Sequence, residues 1–260
     1  MNDDQFLKVA KEAALEAGKI IEGYFGKNLK KRIKKNDESN FATTADLEAE
    51  KLILGIIKDN FFDHNFIAEE SGVKNNNSDY TWVIDPLDGT TAFTVGWPTF
   101  SVSIGLLKNN KPFLGVIYQV MTKDLYWAQQ GKGAFLNGKK INVSTTEQLK
   151  DAAIGVDFAH RSSRAAKVKK YVIPLSEKVA YPFSMCSDAL VFAMVGGGKL
   201  DGFANEDNIW DCIAGVLIII EAGGKVTDTK GGAIDWTKKR MEIVVSNGLI
   251  HEQILSALRQ

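Results

Sequence analysis

The sequence predicts a layered α/β fold in two subdomains, and three features of the chain predict it. Apolar residues recur at three- and four-residue steps in several long segments, which is typical of helices packed on a core. Short apolar runs between turn residues such as Asn137-Gly138 indicate strands. Strands dominate the chain up to about residue 145 and then alternate with helices, so we predict subdomains at residues 1–145 and 146–260.

Two helices precede the main strands. The first is predicted to end near Gly26, because apolar residues recur with helical spacing from Phe6 onward. Residues 27–40 are predicted to form a basic loop; its lysine run is typical of a solvated charge cluster, with attraction of phosphate as the alternative. A second helix is predicted from Thr44 to Asn60, with Asp46 in its first turn. The following strands are predicted at residues 65–68, 80–85, 99–107, 113–120, 124–129 and 134–141.

The C-terminal part is predicted to alternate strands with helices. In chain order, strands are predicted at Ala152–Phe158, Tyr181–Met185, Asp201–Ala204 and Glu242–Ser246, and helices around Ala165 and at Ala189–Val195, Ile209–Glu221 and Ile250–Leu258. This order is typical of α/β packing in which helices cover the faces of a sheet.

Composition and charge argue against several functional classes. Lys and Arg together number 32, as do Asp and Glu, so no net positive charge is available to hold nucleic acid or an acidic membrane. The longest apolar stretch, Cys212–Ile220, is about half of the ~20 residues that a membrane helix needs. The acidic start Met1–Asp4 lacks signal-peptide features, which predicts a cytoplasmic protein. Cys186 and Cys212 lack C-x-x-C spacing and are predicted to be core thiols.

The most informative segment is Trp82–Thr91, in which an apolar run ends abruptly in two carboxylates. Asp85 and Asp88 lie three residues apart across a turn in which Pro86 fixes φ. Both carboxylates and the Leu87 carbonyl can therefore converge on hard cations. The same residue types also suit an ordinary β-turn, which remains the alternative for this segment.

The residues after this turn offer an anion site. Gly89, Thr90 and Thr91 present backbone N–H groups at a predicted helix start, where an anion is favoured. Cations held beside an anion site suggest phosphate chemistry, because paired cations can neutralise the phosphate charge during hydrolysis.

Two further carboxylates lie in similar contexts. Glu69, followed by Glu70, ends the short apolar strand at residues 65–68, and Asp211 opens a very apolar helix. Each has a structural alternative: Glu69 as an exposed acid, and Asp211 as a helix-capping carboxylate near Asn208. Four carboxylates from three segments favour a site for paired divalent ions, which can neutralise a phosphate and generate hydroxide near neutral pH.

These segments resemble the motifs of the inositol monophosphatase family. The resemblance covers nearly the whole chain, through Asn40–Asp46, Glu69-Glu70, Trp82–Phe93 and Trp210–Gly224. It implies a five-layer α-β-α-β-α sandwich of the inositol monophosphatase and fructose-1,6-bisphosphatase type. It also implies a Mg²⁺-dependent, lithium-sensitive phosphomonoesterase that forms homodimers.

The resemblance implies a site for two or three Mg²⁺ ions. Glu69, Asp85 and the Leu87 carbonyl would hold the first ion. Asp85, Asp88 and Asp211 would hold the second. All of these donors are oxygen atoms, which are the ligands that Mg²⁺ prefers.

Catalysis is expected from residues beside these ligands. By resemblance, Gly89 and Thr90 bind the phosphate with Thr91, while Asp46 accepts a hydrogen bond from Thr90. That pair, with Glu69 on the first ion, would orient and deprotonate the attacking water, so no protein nucleophile is needed. For Asp46 the structural alternative is a carboxylate that only stabilises the first turn of its helix.

The alcohol half of the substrate is predicted to meet Asp88, Asp188 and Asn205. Asp188 falls where the family commonly has a small residue, so it departs from the pattern on the substrate side. It either faces the pocket or caps the helix that begins near Ala189.

Two other departures, Asn40 and Ala92, also concern the released alcohol. Inositol monophosphate is the leading predicted substrate. Histidinol phosphate is a close alternative because of Ala92, and a sugar bisphosphate or phosphoadenosine phosphate is the third. The alternative from another class is a regulatory protein that keeps the fold and a metal but has no turnover. The complete carboxylate set argues against that alternative.

Overall fold

The computed structural model describes residues 3–34 and 36–259. Met1 and Asn2 of the acidic start and Lys35 of the basic segment lie outside the described residues, as does Gln260.

The first half of the described chain contains three helices and ten strands. They are α1 (Asp3–Tyr24), β1 (Lys31–Lys34), β2 (Asp37–Thr43), α2 (Thr44–Asn60), β3 (Asn65–Ala68), β4 (Gly72–Lys74), β5 (Tyr80–Asp88), α3 (Thr90–Thr94), β6 (Ser101–Lys108), β7 (Lys111–Gln119), β8 (Asp124–Gln129), β9 (Gly133–Leu136) and β10 (Lys139–Ile141).

The second half alternates short strands with helices after a 3₁₀ turn at Leu149–Asp151. Its elements are β11 (Ala153–Gly155), α4 (Arg164–Lys167), a π-helical segment (Val168–Val172), α5 (Ile173–Ser176), β12 (Tyr181–Phe183), α6 (Asp188–Gly196), β13 (Gly202–Asn208), α7 (Ile209–Glu221), β14 (Lys225–Thr227), β15 (Arg240–Ser246) and α8 (His251–Leu258).

The elements form five layers. An eight-stranded sheet has the order β10-β9-β8-β7-β6-β5-β3-β4, and a five-stranded sheet has the order β12-β11-β13-β15-β14. Helices α1 and α2 cover the outer face of the large sheet, and α6 and α7 lie between the two sheets. Helices α5 and α8 pack against the outer face of the small sheet. The predicted α-β-α-β-α sandwich is confirmed.

Helix α7 lies directly against the backbone of the large sheet. A Cβ atom added to Gly115 would lie 2.3 Å from the Ala214 carbonyl oxygen, and one added to Gly105 would lie 2.4 Å from the Ile213 side chain. This close approach also brings α7 into contact with β5, and the first turn of the helix places Asp211 near Asp85 and Asp88. No helix formed by residues 3–34 and 36–259 is both long and apolar enough to cross a membrane.

Several predicted elements are confirmed closely. The helices predicted at Thr44–Asn60 and Ile209–Glu221 have those bounds in the structure. The strand predicted at residues 134–141 is instead two strands, β9 and β10, because the chain turns at Asn137 and Gly138, both with positive φ. Strands β4 and β14 were not predicted, because three residues are too few to show an alternation of polar and apolar side chains.

The predicted loop at residues 27–40 is wrong. Residues 31–34 and 37–43 form the antiparallel hairpin β1–β2.

The prediction that both cysteines are core thiols is wrong for Cys186, which is exposed, and right for Cys212, which is buried.

Candidate active site

The predicted site residues gather around one cavity of about 340 Å³. It lies where the end of β5 meets the starts of α6 and α7. The predicted residues that line it are Glu69, Asp85, Leu87, Asp88, Gly89, Thr90, Thr91, Asp188 and Asp211. Asp46 and Asn205 are fully buried behind its wall. Asn40 also lines the cavity, whereas Ala92 is buried in α3 and does not.

Three of the predicted metal ligands converge. Carboxylate oxygens of Asp85, Asp88 and Asp211 lie within 4.8 Å of one another. Strand β5 has an irregular register with β6 between Asp85 and Asp88, which pair with Ser103 and Ser101 respectively. Such an irregularity re-aims side chains that would otherwise alternate between the two faces of the sheet. The Leu87 N–H donates to Asp85 Oδ1 at 3.0 Å and fixes the turn.

Asp88 is held by the start of α6. Its Oδ2 accepts hydrogen bonds from the Ser187 hydroxyl and from the Ala189 N–H, the latter at 3.0 Å, and its Oδ1 accepts one from the Asp188 N–H at 3.2 Å. Burial raises the pKa of Asp88 to about 7, against the effect of these hydrogen bonds. The carboxylate is therefore costly to keep charged unless a cation lies nearby.

Asp211 caps α7 and also belongs to the acidic cluster. Its Oδ2 accepts hydrogen bonds from the Asn208 N–H at 3.1 Å and from the Asn208 side-chain amide at 3.0 Å, so the predicted capping alternative is present. Burial, followed by repulsion from Asp207 and Asp88, raises the pKa of Asp211 well above its usual value. A cap alone does not account for placing this charge beside Asp85 and Asp88.

Glu69 lies next to Asp85 but is paired with a lysine. Lys34 Nζ lies 2.8 Å from Glu69 Oε1 and also contacts Glu70, which Arg32 contacts as well. Burial opposes the charge of Lys34, but attraction to Glu69 and Glu70 outweighs it and raises the pKa of Lys34. These contacts were not predicted, because the lysine-rich segment is typical of a solvated loop. No alternation of polar and apolar residues marks a strand there, because Ile33 is the single apolar residue among the lysines and the arginine.

Asp46 links two threonines. Its Oδ2 accepts hydrogen bonds from the Thr43 N–H and hydroxyl, at 2.8 and 2.6 Å, which completes the capping box of α2. Thr90 Oγ1 lies 2.9 Å from Asp46 Oδ1 and 3.0 Å from the Leu87 carbonyl oxygen. Burial raises the pKa of Asp46 to about 6, although the threonine hydrogen bonds lower it. Asp46 therefore stabilises the first turn of its helix, which was the predicted alternative, and also makes the predicted contact with Thr90.

Gly89 allows the turn between β5 and α3. Its φ is +89°, a conformation that side chains disfavour, and an added Cβ would lie 2.8 Å from the Thr99 carbonyl oxygen. The chain can consequently bring the backbone of Gly89 and Thr90 to the cavity wall beside the carboxylates, with the Thr91 side chain exposed.

The electrostatics of the site suit hard cations. Burial, and then repulsion from Glu69, Asp88 and Asp211, raises the pKa of Asp85 well above its usual value. Burial also raises the pKa of Glu69, against the attraction of Lys34. Adjacent buried carboxylates repel one another, and divalent ions with oxygen ligands would relieve that repulsion. The residues present therefore fit a metal centre.

The substrate-side residues form a second acidic cluster. Carboxylate oxygens of Asp157, Asp188 and Asp207 lie within 4.8 Å of one another, with Lys167 among them. Ser187, rather than Asp188, is the N-cap of α6, so the capping alternative for Asp188 is wrong. Asp157 and Lys167 were missed because they belong to no recognisable motif.

Comparisons with known proteins show the family to which this chain belongs. The family model described as the inositol monophosphatase family matches residues 2–260. A "Fructose-1,6-bisphosphatase/inositol-1-monophosphatase" of Aquifex aeolicus is 34% identical over 264 residues, covering 100% of this chain and 97% of the relative. An "Inositol-1-monophosphatase" of Caulobacter vibrioides is 35% identical over 254 residues, covering 95% and 98%.

Solved structures show the same fold. The extragenic suppressor protein suhB from Bartonella henselae is 32% identical, with a TM-score of 0.91 over 98% of this chain and 99% of that chain. An inositol monophosphatase from Anabaena is 35% identical, with a TM-score of 0.88 over 100% and 97%. With its whole length matched in sequence and in fold, this chain belongs to the inositol monophosphatase family of phosphoric monoester hydrolases.

Proposed function

We propose that the protein is a Mg²⁺-dependent phosphatase whose leading substrate is inositol monophosphate. The observation that carries this proposal is the convergence of Asp85, Asp88 and Asp211 within 4.8 Å, in one cavity with Glu69 and Thr90. A regulatory protein without turnover would not need the Asp46–Thr90 contact in addition to a complete set of metal ligands.

Two or three Mg²⁺ ions are proposed for the carboxylate cluster. Glu69, Asp85 and the Leu87 carbonyl would hold the first, and Asp85, Asp88 and Asp211 the second. When bound, such ions neutralise the phosphate charge, lower the pKa of water and stabilise the leaving oxygen. In the described structure Lys34 supplies the positive charge that balances Glu69.

The protein's own residues would position and deprotonate the attacking water. Thr90 Oγ1 can take a proton from that water while giving its own to Asp46 Oδ1, 2.9 Å away. Because burial raises the pKa of Asp46 to about 6, this carboxylate holds a proton better than an ordinary aspartate. The Gly89 and Thr90 N–H groups, with Thr91, would bind the phosphate oxygens.

The choice of inositol monophosphate is supported by the names of relatives such as the Caulobacter enzyme. The name of the Aquifex relative adds a fructose bisphosphatase activity. Histidinol phosphate remains an alternative because of Ala92, as the resemblance implies. The direct test is phosphate release by the purified protein from inositol 1-phosphate, with and without Mg²⁺. Absence of Mg²⁺-dependent release from every phosphate monoester in a panel of these substrates would contradict the proposal.

Substitution of Thr90 tests the proposed proton transfer. We expect Thr90→Val to lower kcat by about 10²–10⁴, the usual contribution of general-base catalysis, because the hydroxyl that contacts Asp46 is lost. Thr90→Ser should retain most of the activity. Thr94→Val is the matched control, since the Thr94 hydroxyl lies on the same helix and donates only to the Thr91 carbonyl. A Thr90→Val kcat within about threefold of wild type would rule out this role.

Two further properties are proposed from the family resemblance, and a third from the sequence. The protein would form a homodimer, which light scattering on the purified protein would measure. Lithium would inhibit it, which phosphate release in LiCl against NaCl would test. A cytoplasmic location, consistent with the free thiols of Cys186 and Cys212, would be tested by cell fractionation.

A further inference from the structure

Helix α2 carries a second buried carboxylate, Glu50, that the proposed chemistry does not use. The helix packs against α1 and β5, and the charged residues that it buries are Asp46 and Glu50. These two residues are four positions apart, so they are neighbours on one side of the helix. Glu50 is only 3% exposed, and a glutamate is rarely buried to this extent without a partner. The contacts of Glu50 therefore need an explanation.

The partner of Glu50 is the backbone beside a proposed metal ligand. Glu50 Oε2 accepts a hydrogen bond from the Glu70 N–H at 2.8 Å. The preceding residue, Glu69, donates its own N–H to the Ile84 carbonyl of β5 at 3.1 Å. Two successive N–H groups thus tie the chain at residues 69 and 70 to different elements, the first to β5 and the second to α2.

The hydrogen bond to Glu50 distinguishes two adjacent glutamates. Glu69 lines the cavity, whereas the Glu70 carboxylate contacts Arg32 and Lys34. Lys34 also contacts Glu69, so its ammonium group does not by itself determine which carboxylate faces the cavity. A hydrogen bond to a backbone N–H is directional, so it fixes the plane of the peptide between residues 69 and 70. That plane determines where the Glu69 side chain starts.

The same side of α2 also holds the proposed proton acceptor. Asp46 Oδ1 lies 2.9 Å from Thr90 Oγ1, and Glu50 lies one turn further along the helix. One turn of an α-helix advances by about 5.4 Å and is held by backbone hydrogen bonds. A single rigid helix therefore sets the position of the Asp46–Thr90 pair relative to the chain that carries Glu69.

A structural role alone would be to satisfy the Glu70 N–H, since backbone donors in folded proteins need a partner. A neutral acceptor would serve that purpose. A buried carboxylate costs more free energy, and in this helix it is repelled by Asp46 four residues away. In return, a carboxylate makes a shorter and stronger hydrogen bond than a neutral group does. The residue type at position 50 therefore favours precise placement of the peptide over stability.

Resting on the proposed metal-dependent phosphatase function, we infer that Glu50 is a positioning residue for the first metal ion. It does not line the cavity, and it acts through the Glu70 N–H, which it holds so that the Glu69 carboxylate faces the cavity. Loss of Glu50 weakens binding of the first ion and leaves the carboxylates of the second ion, Asp88 and Asp211, in place. All phosphate monoesters are affected alike, because Glu50 contacts no part of the substrate.

The test is calorimetric titration of the purified, chelated protein with Mg²⁺. We expect Glu50→Leu to raise the Kd of the weakened ion about 10- to 100-fold, the usual effect of removing the group that orients a metal ligand. Glu50→Gln, whose side-chain oxygen can still accept the N–H, should stay within about threefold of wild type. Glu48→Leu is the matched control, because Glu48 is on the exposed side of the same helix, where it accepts a hydrogen bond from the Tyr24 hydroxyl.

Phosphate release provides a second readout. The Mg²⁺ concentration for half-maximal release should rise in Glu50→Leu by the same factor for inositol 1-phosphate and for p-nitrophenyl phosphate. A factor that differs between the two substrates would contradict the positioning role, because it would place Glu50 in contact with the leaving alcohol.

A double-mutant cycle separates positioning from stability. If Glu50 acts through Glu69, Glu50→Leu should not weaken Mg²⁺ binding further in a Glu69→Gln background, whereas its effect should persist in Asp211→Asn. A purely structural role predicts a lower melting temperature with the Mg²⁺ affinity of wild type. If Glu50→Leu does not fold, as judged by thermal melting, Glu50→Asp decides, because it keeps the charge but retracts the oxygen atoms by one methylene group.

The inference and the phosphatase function can fail separately. An unchanged Mg²⁺ affinity in Glu50→Leu, or in Glu50→Asp where that variant decides, overturns the positioning role and leaves the phosphatase intact. An equally large effect of Glu50→Leu in the Glu69→Gln background overturns it as well. If wild type binds Mg²⁺ but releases phosphate from no monoester, the phosphatase function is wrong, and calorimetry still decides the role of Glu50.

Discussion

Excess EDTA is expected to abolish phosphate release from inositol 1-phosphate, and added Mg²⁺ is expected to restore it. Hydrolysis of phosphate monoesters is among the slowest uncatalysed reactions, so strong stabilisation of the transition-state charge is required. The cavity wall near Asp85 and Asp88 is acidic and would repel a phosphate dianion in the absence of cations. The measurement is the rate of phosphate release before chelation, after chelation and after readdition of Mg²⁺.

Thermal melting in the same three conditions serves as the control. The chelated protein should remain folded, because Lys34 balances Glu69 and the apolar core clusters contain none of the proposed ligand carboxylates. Mg²⁺ should raise the melting temperature, since a ligand present at about 100 times its Kd stabilises the folded state by ~2.7 kcal/mol. Release that continues at the Mg²⁺-supported rate after complete chelation would exclude the metal mechanism.

The parts of the fold that were predictable are those specified by local sequence. Helix α7 has a polar capping pair, Asn208 and Asp211, followed by a long apolar run. Both the start and the length of the helix could therefore be predicted from the sequence. The segment Trp82–Thr91 combines an apolar strand with a turn that needs Pro86 and Gly89, and this combination limits the geometry strongly.

The parts that could not be predicted depend on contacts between distant segments. Lys34 reaches Glu69 from a hairpin 35 residues away, and a lysine-rich stretch alone indicates solvent exposure rather than an ion pair in the site. Lys167 meets Asp157 and Asp207 only because the loop after β11, α4 and β13 converge in the folded chain. No spacing rule relates such residues in advance.

Asp211 offers the sharpest test of the metal centre, because a capping role and a ligand role predict opposite results. We expect Asp211→Asn to lower kcat by about 10³ or more, roughly 4 kcal/mol of transition-state stabilisation, since it removes one charge from the proposed second ion's site. The folded state should tolerate the change. An asparagine side-chain oxygen can still accept the Asn208 N–H, and the loss of one charge relieves repulsion with Asp85 and Asp88.

The measurements are kcat as a function of Mg²⁺ concentration and the melting temperature of the metal-free protein. If Asp211 is only a cap, turnover should stay near normal while stability falls by up to ~1 kcal/mol. If Asp211 is a ligand, kcat should fall sharply and the melting temperature of the metal-free protein should stay constant or rise. Asp235→Asn is the matched control, because Asp235 also accepts a backbone N–H, from Thr237, but lies on an exposed turn outside the cavity. Near-normal turnover in Asp211→Asn would remove this residue from the metal centre and leave Asp85 and Asp88 without the third carboxylate that the second ion requires.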